Sequence, residues 1–238
     1  MITFARALFT CSVCGRNAEF LQAFGSAASG SPDIDLCPCD EEHGTISFAV
    51  QQCPNCGYAN QTIEEKLPDE AVRAMLRSGR YANCDGILFR CDTAAKFYRY
   101  YLICRAVERG KEARNAITSA AWMCDDAGDR ENAAACRRIA AELIHEQFIM
   151  EPSLALTVLW AEHMRRVEEF DRVLKETAGI GGRSENRMQS SLLTFERIHA
   201  KMRDSGRYTI AFALEEMRKR EKLDPSPEGD RTAVRRFQ

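Results

Sequence analysis

Two cysteine pairs carry the strongest chemical signal in the chain. Cys11-Ser12-Val13-Cys14-Gly15 and Cys53-Pro54-Asn55-Cys56-Gly57 each put two thiols on one tight turn, with a glycine to accept a positive φ just after. Four thiolates converging from two such knuckles give the tetrahedral sulfur set preferred by structural Zn²⁺, with no open position for a reactive water. Cys11, Cys14, Cys53 and Cys56 are therefore expected to bind one structural zinc ion. Such ions contribute about 10–16 kcal/mol in small zinc-finger peptides. Iron can take the same ligands. A redox CxxC pair belongs between a strand and a helix in a βαβ unit, and neither pair sits in that context. The 38 residues from Gly15 to Gln52 have room for a ribbon-like hairpin.

A weaker cluster lies between the knuckles. Cys37-Pro38-Cys39 and His43 could form a second metal site, exchange with the first, or make a plain turn. Three ligands fall short of a full set. The chain has eleven cysteines, an odd number that does not suit a closed set of disulfides. Cys84, Cys91, Cys104, Cys124 and Cys136 are scattered singly and read as small buried hydrophobes.

No arrangement of residues suggests catalysis. His145, His163 and His199 fall on predicted helices beside carboxylates and read as surface or partly buried residues. Neither a phosphate-binding glycine loop nor a nucleophile elbow is present. Gly179-Ile180-Gly181-Gly182 reads as a flexible turn.

Composition narrows the partners. The net charge is −2, with 45% hydrophobic residues. Residues 1–66 hold three bases against eight acids, which suits phosphate contacts poorly. No apolar run approaches the roughly 18–20 residues of a membrane span. The first residues lack a basic start followed by a long apolar region. These features lead to the expectation of a cytoplasmic protein.

The elements that must position the cysteines divide near residue 66. Before it, Ile2-Thr3-Phe4 and Thr45 to Val50 alternate like short strands. After it, apolar residues recur at helical spacing. Predicted helices run from Pro68 to Ser78, Asp92 to Arg109, Glu112 to Ala127 and Arg130 to Met150. Leu154 to Ala178 follows as one or two helices, then Arg187 to Ser205 and Arg207 to Leu223. The turns at Gly128, Glu168 and Gly206 resemble those of tetratricopeptide repeats, at a spacing of about 40 residues against the usual 34. The expected fold is mainly α. A zinc-ribbon-like β module (1–66) precedes a tetratricopeptide-like helical repeat domain (67–224) and a flexible tail (225–238).

The chain also resembles a bacterial family, domain-of-unknown-function family 2225. The likeness rests on the opening CxxCG knuckle, the run Pro32-Asp33-Ile34-Asp35-Leu36-Cys37, and Cys53-Pro54-Asn55-Cys56-Gly57-Tyr58-Ala59 ahead of helices. It implies a metal-binding module on a repeat scaffold and no established activity. The function expected is a structural-zinc-binding adaptor for a protein or peptide partner. Arg137-Arg138, Arg165-Arg166 and Arg218-Lys219-Arg220 are read as a solvated face that could line a groove for an acidic peptide. Two alternatives stand beside it. One is a nucleic-acid-associated factor using those basic faces with Arg231, Arg235 and Arg236. The other is a thiol or metal sensor using Cys37 and Cys39 beside the zinc.

Overall fold

The computed structural model describes residues 2–25, 30–180 and 186–223. The expected tail, with Gly181 and Gly182 of the glycine turn, lies outside them. Strands β1 (Thr3–Thr10) and β2 (Asn17–Phe24) form an antiparallel hairpin running from Thr3↔Phe24 to Thr10↔Asn17. Helix α1 (Asp40–Thr45) leads into a 3₁₀ turn, Ile46–Phe48. A smaller hairpin follows, β3 (Gln51–Gln52) with β4 (Ala59–Asn60). The chain is then helical: α2 (Asp69–Leu76), α3 (Gly79–Ala82), α4 (Asp92–Ala106), α5 (Gly110–Asp126), α6 (Arg130–Met150), α7 (Leu154–Arg166), α8 (Phe170–Glu176), α9 (Arg187–Lys201) and α10 (Ile210–Leu223). The fold is mainly α.

Two expectations need correction, and one open alternative is decided. Residues 45–50 are not a strand: Thr45 ends α1, Ile46–Phe48 form the 3₁₀ turn, and Ala49 and Val50 lead out of it. No described strand pairs with them, and local bonds such as Ala49 N–H to the Ile46 carbonyl, 3.0 Å, close the turn instead. Ile46 and Val50 are both buried, at helical spacing. Leu154 to Ala178 resolves into two helices. The last turn falls earlier than Gly206, because Asp204 accepts hydrogen bonds from the Gly206 N–H (2.7 Å) and the Tyr208 hydroxyl (2.6 Å) and holds an irregular loop. Thr209 Oγ1 then accepts from the Phe212 N–H, 3.2 Å, and starts α10 there.

The helix turns share one chemistry. Glu108, Gly128, Glu168 and Arg203 all have positive φ. At each, the next residue's N–H reaches back to close a Schellman motif, as Asp129 N does to the Cys124 carbonyl (2.8 Å) and Glu169 N to that of Met164 (2.9 Å). Spacing between these turns is uneven, and they do not define a repeat type. Successive helices pack on one another from α4 through α7, and α7 then packs on α9. Ala113, Ala116, Ala120 and Ala121 of α5 are all buried, so the neighbouring helices approach closely. Cys84, Cys104, Cys124 and Cys136 are buried among them as expected, and Cys91 is partly so. One core joins Cys11, Cys53, Tyr58 and Ile63 to residues of α4, α5 and α6, across the residue-66 line. A second core lies between α6, α7, α9 and α10.

Candidate metal centre and the buried charge network

Each CxxC knuckle is the tip of its own hairpin. In the first, the Cys11 N–H donates to the Arg16 carbonyl (2.9 Å) and Gly15 N–H to that of Cys11 (2.8 Å); in the second, Cys53 N–H donates to Tyr58 (2.8 Å) and Gly57 N–H to Cys53 (2.9 Å). Gly15 and Gly57 have φ of +71° and +79°, where a side chain would be strained. The single hairpin expected between the knuckles is thus replaced by two, one around each.

The knuckles face each other. Cys11 Sγ lies 3.7 Å from Cys56 Sγ, and Cys14 Sγ lies 3.7 Å from Cys53 Sγ. All four sulfurs fall within 4.8 Å of one another. Sulfurs held about 2.3 Å from a tetrahedral centre would be about 3.8 Å apart. The donor set fits a thiophilic metal ion. Burial raises the Cys11 and Cys56 thiols, whereas at Cys14 burial is outweighed by bonds from the Arg16 backbone and Asn55, which hold it near a pKa of about 6. The Ser12 hydroxyl donates to the Glu65 carbonyl (2.8 Å), and Arg73 donates to that of Val13 (3.0 Å). Tyr81 OH donates to the Gly57 carbonyl (2.6 Å). The centre is tied on both sides to the helical part.

Among the described residues, these four cysteines are the group of three or more side chains placed to share a metal. Cys37 and His43 meet elsewhere, with Sγ 3.3 Å from Nδ1. Cys39 joins no such group.

A second constellation has no local sequence signal. The acidic segment Ser31–Cys37 lies against the helices as a tight turn, closed by the Leu36 N–H on the Asp33 carbonyl (2.9 Å). Ile34 N–H donates to the Tyr208 carbonyl (3.1 Å), and Ile210 N–H donates to that of Pro32 (2.9 Å). Ile34 is buried in the second core. Asp33 pairs with Arg207, and Asp35 accepts from Trp122 Nε1 (2.9 Å) with Arg137 at 3.8 Å.

The basic groups taken for a solvated face are in large part internal. Arg137 is 3% exposed and bonded to Asp125 at 2.5 Å, and Arg166 reaches the same carboxylate at 3.1 Å. Arg165 is fully buried between Glu162 (2.5 Å) and Glu196 (2.7 Å). One guanidinium faces two carboxylates, and burial together with the charge of Glu162 pushes Glu196 well above the usual carboxylate range despite Arg165. Only Arg138 and the α10 group stay outside, and in the latter Lys219 and Arg220 are ion-paired to Glu215 and Glu216. The buried arginines of the expected basic groove are met by this chain's own carboxylates, chiefly Asp125, Glu162 and Glu196, with Asp35 of the acidic segment near Arg137.

The histidines also differ from expectation. His145 is exposed, but His163 and His199 are buried. Burial, reinforced by nearby arginines, lowers His163 to about 4. His199 stacks on Phe195 and contacts Asp204 at 2.8 Å.

The family model described as "Uncharacterized protein conserved in bacteria (DUF2225)" matches residues 6–201. The chain belongs to this family. No curated protein and no solved structure matches it. The match takes in both knuckles, the acidic segment and α2 through α9, so the DUF2225 region includes the four-cysteine cluster together with most of its helical support. No helix among the described residues of this DUF2225 chain is long and apolar enough to cross a membrane.

Proposed function

We propose that this protein is a zinc-stapled scaffold that offers a helical surface to a protein or peptide partner. The observation that carries the zinc assignment is the 3.7 Å spacing of paired sulfurs from two knuckles, which matches tetrahedral Zn–S geometry. All four positions are filled by protein, so the ion's part is to hold the hairpins against the helices. Catalysis has no part in this reading.

Because the chain's own carboxylates occupy the inner arginines, the partner surface is assigned to the outer side of α6–α8. There a cavity of about 380 Å³ is lined by Arg138, Glu142, His145, Trp160 and Arg172. Arg172 lies over the Trp160 ring, 5.5 Å from its centroid. An aromatic floor ringed by exposed charges of both signs suits a polar peptide.

The test has two parts. Metal analysis of the purified protein is expected to give one zinc per chain, lost on substitution of Cys14 and Cys56. A photocrosslinking residue at Glu142, in cells that make the protein, is expected to trap a partner that Arg138→Glu with Arg172→Glu abolishes. Crosslinks unchanged by that double substitution would refute the assigned surface, and a metal-free folded protein would refute the staple.

A further inference from the structure

Cys37 ends the acidic segment, only 1% exposed and outside the four-sulfur cluster. Its Sγ lies 3.3 Å from His43 Nδ1, and His43 Nε2 lies 2.7 Å from Asp126 Oδ2. A carboxylate only accepts, so Nε2 carries the proton and donates to Asp126, and Nδ1 is left as an acceptor facing the thiol. Arg207 Nη2 is 3.4 Å from the same sulfur. The residue before the cysteine, Leu36, has φ of +68°, a costly conformation for a bulky side chain. It is held by the Leu36 N–H to the Asp33 carbonyl (2.9 Å) and the Asp33 N–H to that of Cys37 (3.0 Å). Strain of this kind, at a thiol already facing a base, points from geometry to chemistry.

We propose that Cys37 is a peroxide-reactive thiol, with His43 as its base and Asp126 positioning the imidazole. The arrangement of nucleophile, base and orienting carboxylate is what activation of a weak nucleophile requires. Burial and the neighbouring Asp35 raise the Cys37 thiol well above its ordinary range, so the sulfur rests as S–H and loses its proton during attack. In the step, sulfur bonds to one oxygen of hydrogen peroxide as the S–H proton passes to Nδ1. The O–O bond breaks, and the departing hydroxide recovers that proton from His43 to leave as water. Sulfur gives up two electrons and becomes sulfenic acid; one thiol and one peroxide yield one sulfenic acid and one water. Arg207 offsets the negative charge that develops on sulfur. The buried sulfur selects for an electrophile near the size of water, entering beside His43 and Asp126, whose side chains are 22% and 43% exposed.

The experiment uses the full-length, metal-loaded protein, hydrogen peroxide near stoichiometry, and a dimedone trap read by peptide mass spectrometry at every cysteine. Cys37 is expected to be trapped first. His43→Ala should slow that reaction about 100-fold, the scale of one general base. Asp126→Asn should slow it too, and Asp126→Glu should recover most of the rate, which a merely structural contact would not do. His43→Gln, closer in size, serves if the alanine variant does not fold. Trapping that begins at other cysteines, or a Cys37 rate indifferent to His43 and Asp126, would overturn the proposal.

Discussion

His163 provides a measurement in which the interior of the helical part reports on itself. It sits on α7 at 2% exposure, and its Nδ1 has no hydrogen-bond partner. Burial drives its pKa from about 6.5 to about 4; Arg137, Arg166 and Arg114 push the same way, and Asp35 opposes them. The folded protein thus keeps a neutral imidazole where the unfolded chain would bind a proton. A depressed folded pKa means that the stabilisation is complete above about pH 6.5 and is lost as pH falls towards about 4. At about 1.4 kcal/mol per unit, the full loss is about 3 kcal/mol. Between about pH 7.5 and 5.0 the loss from this residue should be about 2 kcal/mol. Urea unfolding at the two pH values, for the natural chain and for His163→Leu, isolates it. The other titrating groups, the cysteine cluster included, are common to both proteins and cancel in the comparison. Comparing slopes also removes any change in absolute stability from repacking. If both proteins lose the same stability on acidification, His163 is not a neutral buried imidazole and the reasoning fails.

Three other expectations follow from the same contacts. Replacing Cys14 or Cys56 with Ser, or stripping the ion with a strong chelator, should remove hydrogen-exchange protection from residues 51–65 and from the face of α4 that shares their core, because Cys11, Cys53 and Tyr58 pack with α4. Protection retained in metal-free protein would contradict the staple. Glu196→Gln should cost less in urea unfolding than loss of Arg165, since burial and the charge of Glu162 both disfavour the Glu196 carboxylate despite Arg165. Arg165→Met, in contrast, strands buried carboxylates and should cost about 3–5 kcal/mol in urea unfolding. Asp204→Asn should cost about 1–2 kcal/mol at neutral pH, by loss of charge-assisted bonds from Tyr208, Gly206 and His199. Burial opposes those bonds at Asp204, yet they lower its pKa to about 2, so this contribution holds above about pH 4 and fades as pH falls towards about 2. Thermal melts of the two proteins across that range check it.

The four-cysteine cluster was legible because its information is local. Two identical short turns, each closed by glycine, state both the ligands and the geometry, and the coordinates bring their sulfurs together. Helix existence was legible for the same reason: α6 spans the predicted Arg130–Met150. Ends were less so where a side chain rather than the backbone decides them, as Asp204 and Thr209 do between α9 and α10. The charge network was not legible at all. A run such as Arg165-Arg166 has a solvated pattern, and only partners 31 and 41 residues away, Glu196 and Asp125, reveal that it is internal. His43 was noticed as a ligand to metal. Its real neighbours, Cys37 and Asp126, lie 6 and 83 residues away, and no motif of spacing joins all three.

These distant pairs explain why so much charge is buried in one small region. Buried ion pairs contribute little net stability compared with apolar packing, and their plausible use is to specify one arrangement over others. Here the arrangement is the seating of Ser31–Cys37. Its backbone makes only a short bridge to residues 208–210, too little to seat the turn by itself. Asp33 on Arg207, and Asp35 on Trp122 and Arg137, flank Ile34 and admit one register. A slip of one residue would bury a carboxylate where Ile34 sits and part Arg207 from Asp33, while Arg137 would keep only Asp125. The register that satisfies those charges is also the one that delivers Cys37 to His43 and to Arg207. The acidic segment is therefore the part of the chain through which the placement of its most unusual thiol depends on the helices at the far end of the fold.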